Sequence, residues 1–270
     1  MQFLKLVGDF TRDLYENRYT IYQLTKRDYK NRYIGSFLGF VWTIIQPIVM
    51  IFVLWIVFVK GFKSGPVHGN IPYIAYLSIG MIVWHFFSEA LMACTNVFQE
   101  YSYLVKKINF KIAILPTIKL SSGLITHAIF ILIGMVILLF SGIQPSWYWL
   151  QFPYYLMGLI ILLLGISWIT SSLQVFIRDI SQIVGITLQF GFWYTPVVWD
   201  MSLIPKAYQI YFKINPLYYI IEGYQKSFIY HEPFWGDTKS ALLFWLTTLT
   251  ISLIGAALFK KLRPHFADVL

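Results

Sequence analysis

Four ionisable side chains interrupt otherwise apolar stretches of the sequence, where a charge is costly if lipid surrounds it. His85 and Glu89 lie in one apolar stretch, and Lys119 and His127 lie in the next. A carboxylate beside an imidazole can relay protons or line a passage, and it can equally hold a structural hydrogen bond. For this pair both interpretations stay open. Lys119 lies about one turn past Pro116, so we expect its side chain to extend to the aqueous interface.

Patterns of catalysis and metal binding are missing from the sequence. The five histidines are scattered, and no His-Glu-x-x-His run or Cys/His cluster has ligand spacing. Ser171 and Ser172 lack the flanking glycines of a nucleophile elbow. No glycine-rich loop ending in Lys-Ser or Lys-Thr is present to hold nucleotide phosphates. We therefore predict no catalytic residue, no metal site and no cofactor in this chain.

The composition is that of a helical membrane protein. Of 270 residues, 58% are hydrophobic and 12% are charged, and the mean hydropathy is +0.64. This is far more apolar surface than one soluble core can bury. A span needs about 20 apolar residues, and we predict six spans near residues 36–59, 72–94, 114–140, 152–176, 182–199 and 241–259. The polar segment before the first span argues against a cleaved signal peptide.

Positive charge alternates along the connections between these spans. Lys and Arg cluster before the first span, after the second and after the last, whereas residues 141–151 carry neither. The positive-inside rule then predicts that both termini are cytoplasmic. The same distribution accounts for the net charge of +9 without nucleic acid as a partner.

The segment before the first span has the pattern of an amphipathic helix. Phe3, Val7, Phe10 and Leu14 recur at steps of three and four with charged residues between them. We expect this helix to lie on the cytoplasmic membrane surface, in contact with lipid. The alternative is a solvated helix that packs on its own loops. A charged hinge into the first span should follow, with Arg27, Lys30 and Arg32 as its cations.

The connection between the second and third spans predicts a short helix. Asn96 and Gln99 have the spacing of an N-cap and its back-bonding partner. Lys106 and Lys107 then suit the negative end of the helix dipole. A short helix with a basic end fits a docking element, and a plain solvated connector is the equal alternative.

Residues 196–240 are the least regular part of the sequence. Pro196, Pro205 and Pro216 divide apolar sequence into pieces of about ten residues, too short to span. Such pieces predict an external re-entrant helix pair before the last span, with its broken backbone covered by protein or water. A seventh span over residues 208–230 is the alternative, but Lys213 and Glu222 interrupt it.

Aromatic residues make up 19% of the chain, more than two interfacial belts require. Aromatic faces are apolar and polarisable, and they can contact the C–H faces of sugar rings without holding them tightly. Several aromatics fall within the predicted spans and are therefore candidates, with Glu89, for lining a passage. They are Trp55, Trp84, Phe87, Phe190, Trp193 and Tyr194.

Short motifs occur in order along nearly the whole chain. They are Arg27-Asp28-Tyr29-Lys30, Lys106-Lys107-Ile108-Asn109-Phe110, Ile114-Leu115-Pro116, Phe176-Ile177-Arg178-Asp179-Ile180, Phe192-Trp193-Tyr194-Thr195-Pro196 and Asn215-Pro216-Leu217. As an ordered set they resemble the ABC-2 type permeases. The similarity is greatest to the branch that exports polysaccharides such as O-antigen, capsular glycan or teichoic acid.

The resemblance implies a single permease domain over residues 1–270 in the cytoplasmic (inner) membrane. Its parts would be the interface helix (1–35), five spans (36–199), the re-entrant segment (200–240), the last span (241–259) and a cytoplasmic tail (260–270). The fold class would be an all-α integral membrane protein with six transmembrane helices.

The same resemblance implies partners. The chain would form a homodimer and bind two separate ABC ATPase subunits, which would carry ATP and Mg²⁺, and a lipid-linked glycan would be the cargo. Residues implied in contact with the ATPase are Asn96, Gln99, Glu100, Tyr103, Lys106, Lys107, Arg178 and Asp179. An exporter of drugs or small lipids is the alternative within the family, and a proton-coupled transporter using Glu89 and His85 is the alternative outside it.

Overall fold

The computed structural model describes residues 2–67, 70–107 and 110–270, and the regular structure in these ranges is helical apart from one antiparallel bridge between Val67 and Ile71. The α-helices are α1 (Gln2–Glu16), α2 (Arg18–Asn31), α3 (Trp42–Trp55), α4 (Tyr73–Thr95), α5 (Val97–Glu100), α6 (Ser102–Val105), α7 (Leu115–Phe140), α8 (Phe152–Phe176), α9 (Ile180–Tyr194), α10 (Gln209–Lys213), α11 (Pro216–Gln225), α12 (Thr238–Leu262) and α13 (Phe266–Val269). The all-α prediction is therefore confirmed for the described residues.

Five helical segments among the described residues are long and apolar enough to cross a membrane. With their short 3₁₀ and π extensions they are Gly39–Gly61, Tyr73–Thr95, Ile112–Phe140, Trp147–Phe176 and Thr238–Val269. The stretch predicted as a further span is α9, which has 15 residues and a length of about 22 Å. Helix α9 ends before Thr195 and Pro196 because the residue before a proline disfavours helical geometry.

Helix α4 lies at the centre of the bundle and α3 at its edge. In the most apolar stretch of α4, 72% of the residues are buried, whereas in that of Gly39–Gly61 only 22% are buried. Helices α7, α8 and α11 pack around α4, and α12 packs along α8. Gly165 of α8 and Gly255 of α12 are both buried at this last crossing, where small residues let helix backbones approach closely.

The N-terminal segment forms two helices rather than a helix and a charged hinge. Arg27 and Lys30 lie within α2, so their predicted placement in a hinge was wrong. The charged run contains no glycine or proline to break a helix. The chain turns instead after Asn31, where Gly35 and Gly39 adopt positive φ angles of 80° and 49° that favour glycine.

The predicted amphipathic helix is present as α1, and part of its apolar face contacts protein. Phe10 packs edge-on against Trp168 of α8, with ring centroids 5.1 Å apart. Ile21 and Leu24 of α2 join the same buried cluster, which includes Phe98 and Phe259. The N-terminal helices are thus packed onto the end of the bundle that carries α5 and α6.

The segment before α12 contains two short helices, α10 and α11. Helix α11 begins at Pro216, and the Asn215 side chain caps it by accepting a hydrogen bond from Leu217 N at 3.0 Å. Its residues from Leu217 to Ile221 are buried in the bundle, while Tyr211 of α10 is exposed. Protein therefore covers the broken backbone around α11.

Candidate functional site

A large cavity lies between α3, α4 and α9. Its volume is about 1160 Å³, which is large enough to hold a ligand of considerable size. Apolar side chains form most of the wall, and polar side chains interrupt it. These polar residues are Tyr33, Thr43, Gln46, His85, Ser88, Glu89, Thr126 and Gln189. The cavity therefore offers an apolar surface with two ionisable residues, His85 and Glu89, on one helix.

The structure brings together three of the seven residues predicted to line a passage, namely Trp84, Glu89 and Trp193. The other four are placed differently. Phe87 is buried in the core, and Trp55 stacks on Phe52.

The remaining two lie on α9. Phe190 is 75% exposed on the outside of the bundle. Tyr194 donates a hydrogen bond to Tyr211 O at 2.6 Å and stacks on Phe212. Periodicity alone did not separate these aromatics because each lies in an equally apolar helix.

His85 and Glu89 line the cavity, and Arg32 lies beside it as the partner of Glu89. His85 Nδ1 lies 3.5 Å from Glu89 Oε2, as the four-residue spacing predicts. Arg32 Nη1 pairs with Glu89 Oε1 from the turn after α2. The predicted hinge cation Arg32 thus lies at the cavity and neutralises its carboxylate.

A second cluster lies beside the first and joins α2, α5 and α7. Lys119 Nζ lies 2.5 Å from Asp28 Oδ1 and 2.7 Å from Glu100 Oε1. The Lys119 side chain is only 7% exposed, so the expectation that it extends to the aqueous interface was wrong. Two carboxylates reach its ammonium inside the protein, and this pairing offsets the cost of burying the charge.

Tyr101 completes this cluster, and it donates a hydrogen bond from Oη to Asp28 Oδ1 at 3.2 Å. Burial, followed by the negative charge of Asp28, raises the pKa of the Tyr101 hydroxyl. The hydroxyl therefore stays protonated at neutral pH and remains a donor to Asp28.

The connection after α4 forms two four-residue helices, α5 and α6, with Tyr101 between them. Asn96 occupies the predicted N-cap position, directly before α5, but the side-chain contacts predicted for it and Gln99 were wrong. Asn96 ends α4, and its amide donates back to Met92 O at 3.1 Å. Gln99 donates instead to Gln174 O of α8 at 3.2 Å. Free carbonyls at the ends of α4 and α8 are the acceptors in both cases.

Gln174 connects the two segments for which the family resemblance implies contact with an ATPase. Its Nε2 lies 3.4 Å from both Asn96 Oδ1 and Gln99 Oε1, and it donates to Arg178 O at 3.2 Å. Its Oε1 accepts a hydrogen bond from Ser181 N at 2.8 Å. Gln174 is only 3% exposed, so it links both connections from inside the protein.

The exposed members of the same set are on the surface of these connections. Glu100, Tyr103, Lys106, Lys107, Arg178 and Asp179 are all exposed. The structure therefore presents one surface composed of α5, α6 and the α8–α9 connection, with three cations and two carboxylates accessible on it. We call these six exposed residues the docking surface.

Sequence reasoning missed Gln174 and the importance of Asp28. Gln174 had a usable signal, since it is a polar residue in the last turn of an apolar helix, four residues before Arg178. Asp28 was one acid in a mixed-charge run, and nothing local distinguished it. Across the described ranges, no group of three or more His, Cys, Asp or Glu residues could hold a metal ion.

Comparison with known proteins decides the family. The sequence profile of the ABC-2 type transporters matches residues 19–229, which include the cavity, both ionic clusters and the docking surface. The chain belongs to the ABC-2 type transporter family. The resemblance drawn from the ordered motifs is thereby confirmed, and the chain is a multi-pass membrane protein.

Curated relatives of this ABC-2 chain cover almost its full length. A Myxococcus xanthus protein named O-antigen export system permease protein RfbA is 25% identical over 260 residues, covering 95% of this chain and 97% of the relative. Two Klebsiella pneumoniae proteins of the same name are 26% and 24% identical over 252 and 250 residues. Each covers 92% of this chain and is itself covered to 93%.

Proposed function

We propose that this chain is the membrane-spanning subunit of an ABC exporter that moves a lipid-linked polysaccharide, similar to O-antigen, across the cytoplasmic membrane. One observation carries the proposal. The ABC-2 profile matches most of the chain, and three relatives that align over more than nine-tenths of their length share the name O-antigen export system permease.

The cavity supports this class of cargo. A lipid-linked glycan has a long apolar tail and a polar head, and the cavity pairs apolar walls with the ionisable residues Glu89 and His85, with Arg32 beside Glu89. Trp84 and Trp193 lie on that wall, where their ring faces would contact sugar C–H groups or an isoprenoid chain.

Energy would come from a separate ATPase, since the sequence has no phosphate-binding loop of its own. Two ATPase subunits would hold ATP and Mg²⁺ and would bind the docking surface. Its cations Lys106, Lys107 and Arg178 are exposed and would steer an acidic partner surface. Gln174 supports this role, because it fixes the two halves of the surface to each other.

A second copy of the chain would complete the passage. The cavity wall from α3 is peripheral, and Val49, Met50 and Val53 of that helix line the cavity while remaining 46% to 51% exposed. A homodimer in which α3 and α9 meet their counterparts would enclose the cavity away from lipid.

The proposed topology has both termini in the cytoplasm and six membrane-inserted segments, of which α9 is the short fifth. Helices α10 and α11 would form the external re-entrant pair. Helix α1 would lie at the inner surface in contact with membrane lipids.

The test is depletion of this chain in its host, followed by assay of lipid-linked glycan on each side of the inner membrane. We expect glycan to accumulate inside and to disappear from the cell surface, and re-expression of the chain should reverse both changes. Export should continue when the proton gradient is collapsed with ATP maintained. Unchanged glycan on both sides would refute the proposed cargo, and loss of export without the gradient would indicate proton coupling through Glu89 and His85.

A further inference from the structure

Five ionisable side chains form a continuous series of ion pairs from α5 to the cavity. In order they are Glu100, Lys119, Asp28, Arg32 and Glu89, and we call them the ionic chain. Lys119 connects Glu100 with Asp28. Arg32 connects Asp28, whose Oδ2 lies 3.8 Å from Arg32 Nε, with Glu89. One end is the side chain of Glu100, which is 53% exposed, and the other end is the cavity wall.

The charges of the ionic chain do not balance. Three acidic side chains share two basic ones, so one acid is short of a full partner. The side chains of Asp28 and Arg32 are 4% and 23% exposed, and that of Glu89 is 32% exposed. Solvent therefore compensates the deficit only in part, and the three acids compete for the two basic side chains.

Arg32 is placed to change partners. It lies between Asp28 and Glu89, and Asp28 Oδ2 accepts no hydrogen bond within the described part of the chain. Arg32 is the residue directly after α2, at the start of a turn that extends to Gly39. Its guanidinium can therefore move from one acid to the other while α2 and α4 stay in place. Glu89 lies six residues before the end of α4, about 9 Å into the bundle.

We propose that Arg32 is a coupling residue that exchanges its ion pair between Glu89 and Asp28 as α5 moves against the ATPase. This inference rests on the proposed function. In the present arrangement Lys119 is shared by Glu100 and Asp28, and Arg32 pairs with Glu89. Movement of α5 that draws the flexible Lys119 side chain toward Glu100 leaves Asp28 with only its longer contact to Arg32, at 3.8 Å, among the described residues.

Asp28 then takes Arg32, and the Glu89 carboxylate is released at the cavity. A released carboxylate accepts hydrogen bonds from sugar hydroxyl groups, whereas a carboxylate paired with Arg32 does not accept them as readily. Rigid-body motion at the docking surface would thereby change how the cavity holds its cargo. Arg32, Asp28 and Lys119 are positioning residues in this scheme, because Glu89 is the member of the ionic chain that lines the cavity.

The test uses the full chain reconstituted in liposomes with its ATPase and a lipid-linked glycan, with export and ATP hydrolysis measured together. The double variant Arg32→Gln with Glu89→Gln removes the pair without leaving one buried charge unpaired. We expect ATP hydrolysis close to the wild-type rate and export reduced about tenfold or more. Lys26→Gln is the matched control, since Lys26 is an exposed cation of the same helix, and both of its rates should be unchanged.

A purely structural pair would give a different result, because two glutamines can hydrogen-bond to each other and export would then stay normal. Normal export by the double variant would overturn the proposal. Glu100→Gln provides a second variant at a half-exposed position where folding is not at risk, and its export per ATP hydrolysed should fall below that of the wild type. Normal export by Glu100→Gln would likewise overturn the exchange. If the wild-type chain itself exports no glycan, the proposed function fails and the inference fails with it.

Discussion

Replacing Gly165 with alanine tests how closely α8 and α12 must approach. A Cβ atom on Gly165 would lie 2.8 Å from Ser252 Cα and 2.9 Å from Ser252 N. Carbon atoms in contact are normally about 3.5 to 4.0 Å apart, so the overlap is about 1 Å. The obstructing atoms belong to the backbone and cannot rotate away. A Cβ atom on Gly255 would overlap with Gly165 O, so neither helix can accept a Cβ atom at this crossing unless the two backbones move apart.

The magnitude follows from two opposing effects. Overpacking of this kind costs about 1 to 3 kcal/mol, whereas a glycine-to-alanine change inside a helix gains about 1 kcal/mol in propensity. Gly185→Ala is the matched control, because its Cβ would meet only the flexible end of Met92 at 3.4 Å. It keeps the propensity gain without the overlap. We expect Gly165→Ala to be less stable than Gly185→Ala by about 1 to 3 kcal/mol.

The assay is reversible unfolding of both purified variants and the wild type in detergent micelles containing increasing fractions of SDS. The wild type should lie between the two variants or close to Gly165→Ala. If Gly165→Ala is as stable as Gly185→Ala, the two helices tolerate separation, and the assignment of a tight glycine crossing is refuted.

Two further predictions concern the docking surface and the cavity. Exchanging Lys106 and Lys107 for Glu should weaken copurification with the ATPase and lower export. Membrane insertion should be normal, and the free energy of unfolding should change by no more than about 0.5 kcal/mol, because both side chains are exposed. Undiminished copurification would contradict the docking assignment. Trp193→Ala should slow export of long glycans at normal protein abundance, because Trp193 lines the cavity. Phe190→Ala is the matched control in the same helix, since Phe190 is exposed and does not line the cavity, and it should leave export unchanged. Equal effects of the two changes would refute an aromatic path.

The helices were largely predictable because apolar length and proline position act locally. The segments predicted as the second, third and fourth spans correspond closely to α4, α7 and α8. The fifth was predicted too long, because apolar residues continue past Tyr194 although Thr195 and Pro196 end the helix. The short helices α5 and α6 were predicted as a single helix. The side chains of Asn96 and Gln99, predicted to cap that helix, instead donate hydrogen bonds to carbonyl groups at the ends of α4 and α8.

The candidate site was predictable in its residue types and only in part in its arrangement. Glu89 and His85 were singled out together as polar residues of one apolar span, and their side chains lie side by side, because a four-residue spacing places them on one helix face. Trp55 and Phe87 were grouped with Trp84, although neither lines the cavity. Their sequence contexts are alike, and only the packing of neighbouring helices decides which of these rings lines the cavity.

The sequence by itself determined the class of the protein, the approximate extent of its long apolar helices and, through the order of its motifs, its family. These properties depend on the length of apolar runs and on local breakers, which each segment carries independently of the rest. Only the tertiary structure decided which charges meet. Asp28 and Lys119 are 91 residues apart and Arg32 and Glu89 are 57 apart, and no local rule selects such partners. Helix packing selects them, because a charge buried between helices persists only where the opposite charge arrives from another segment.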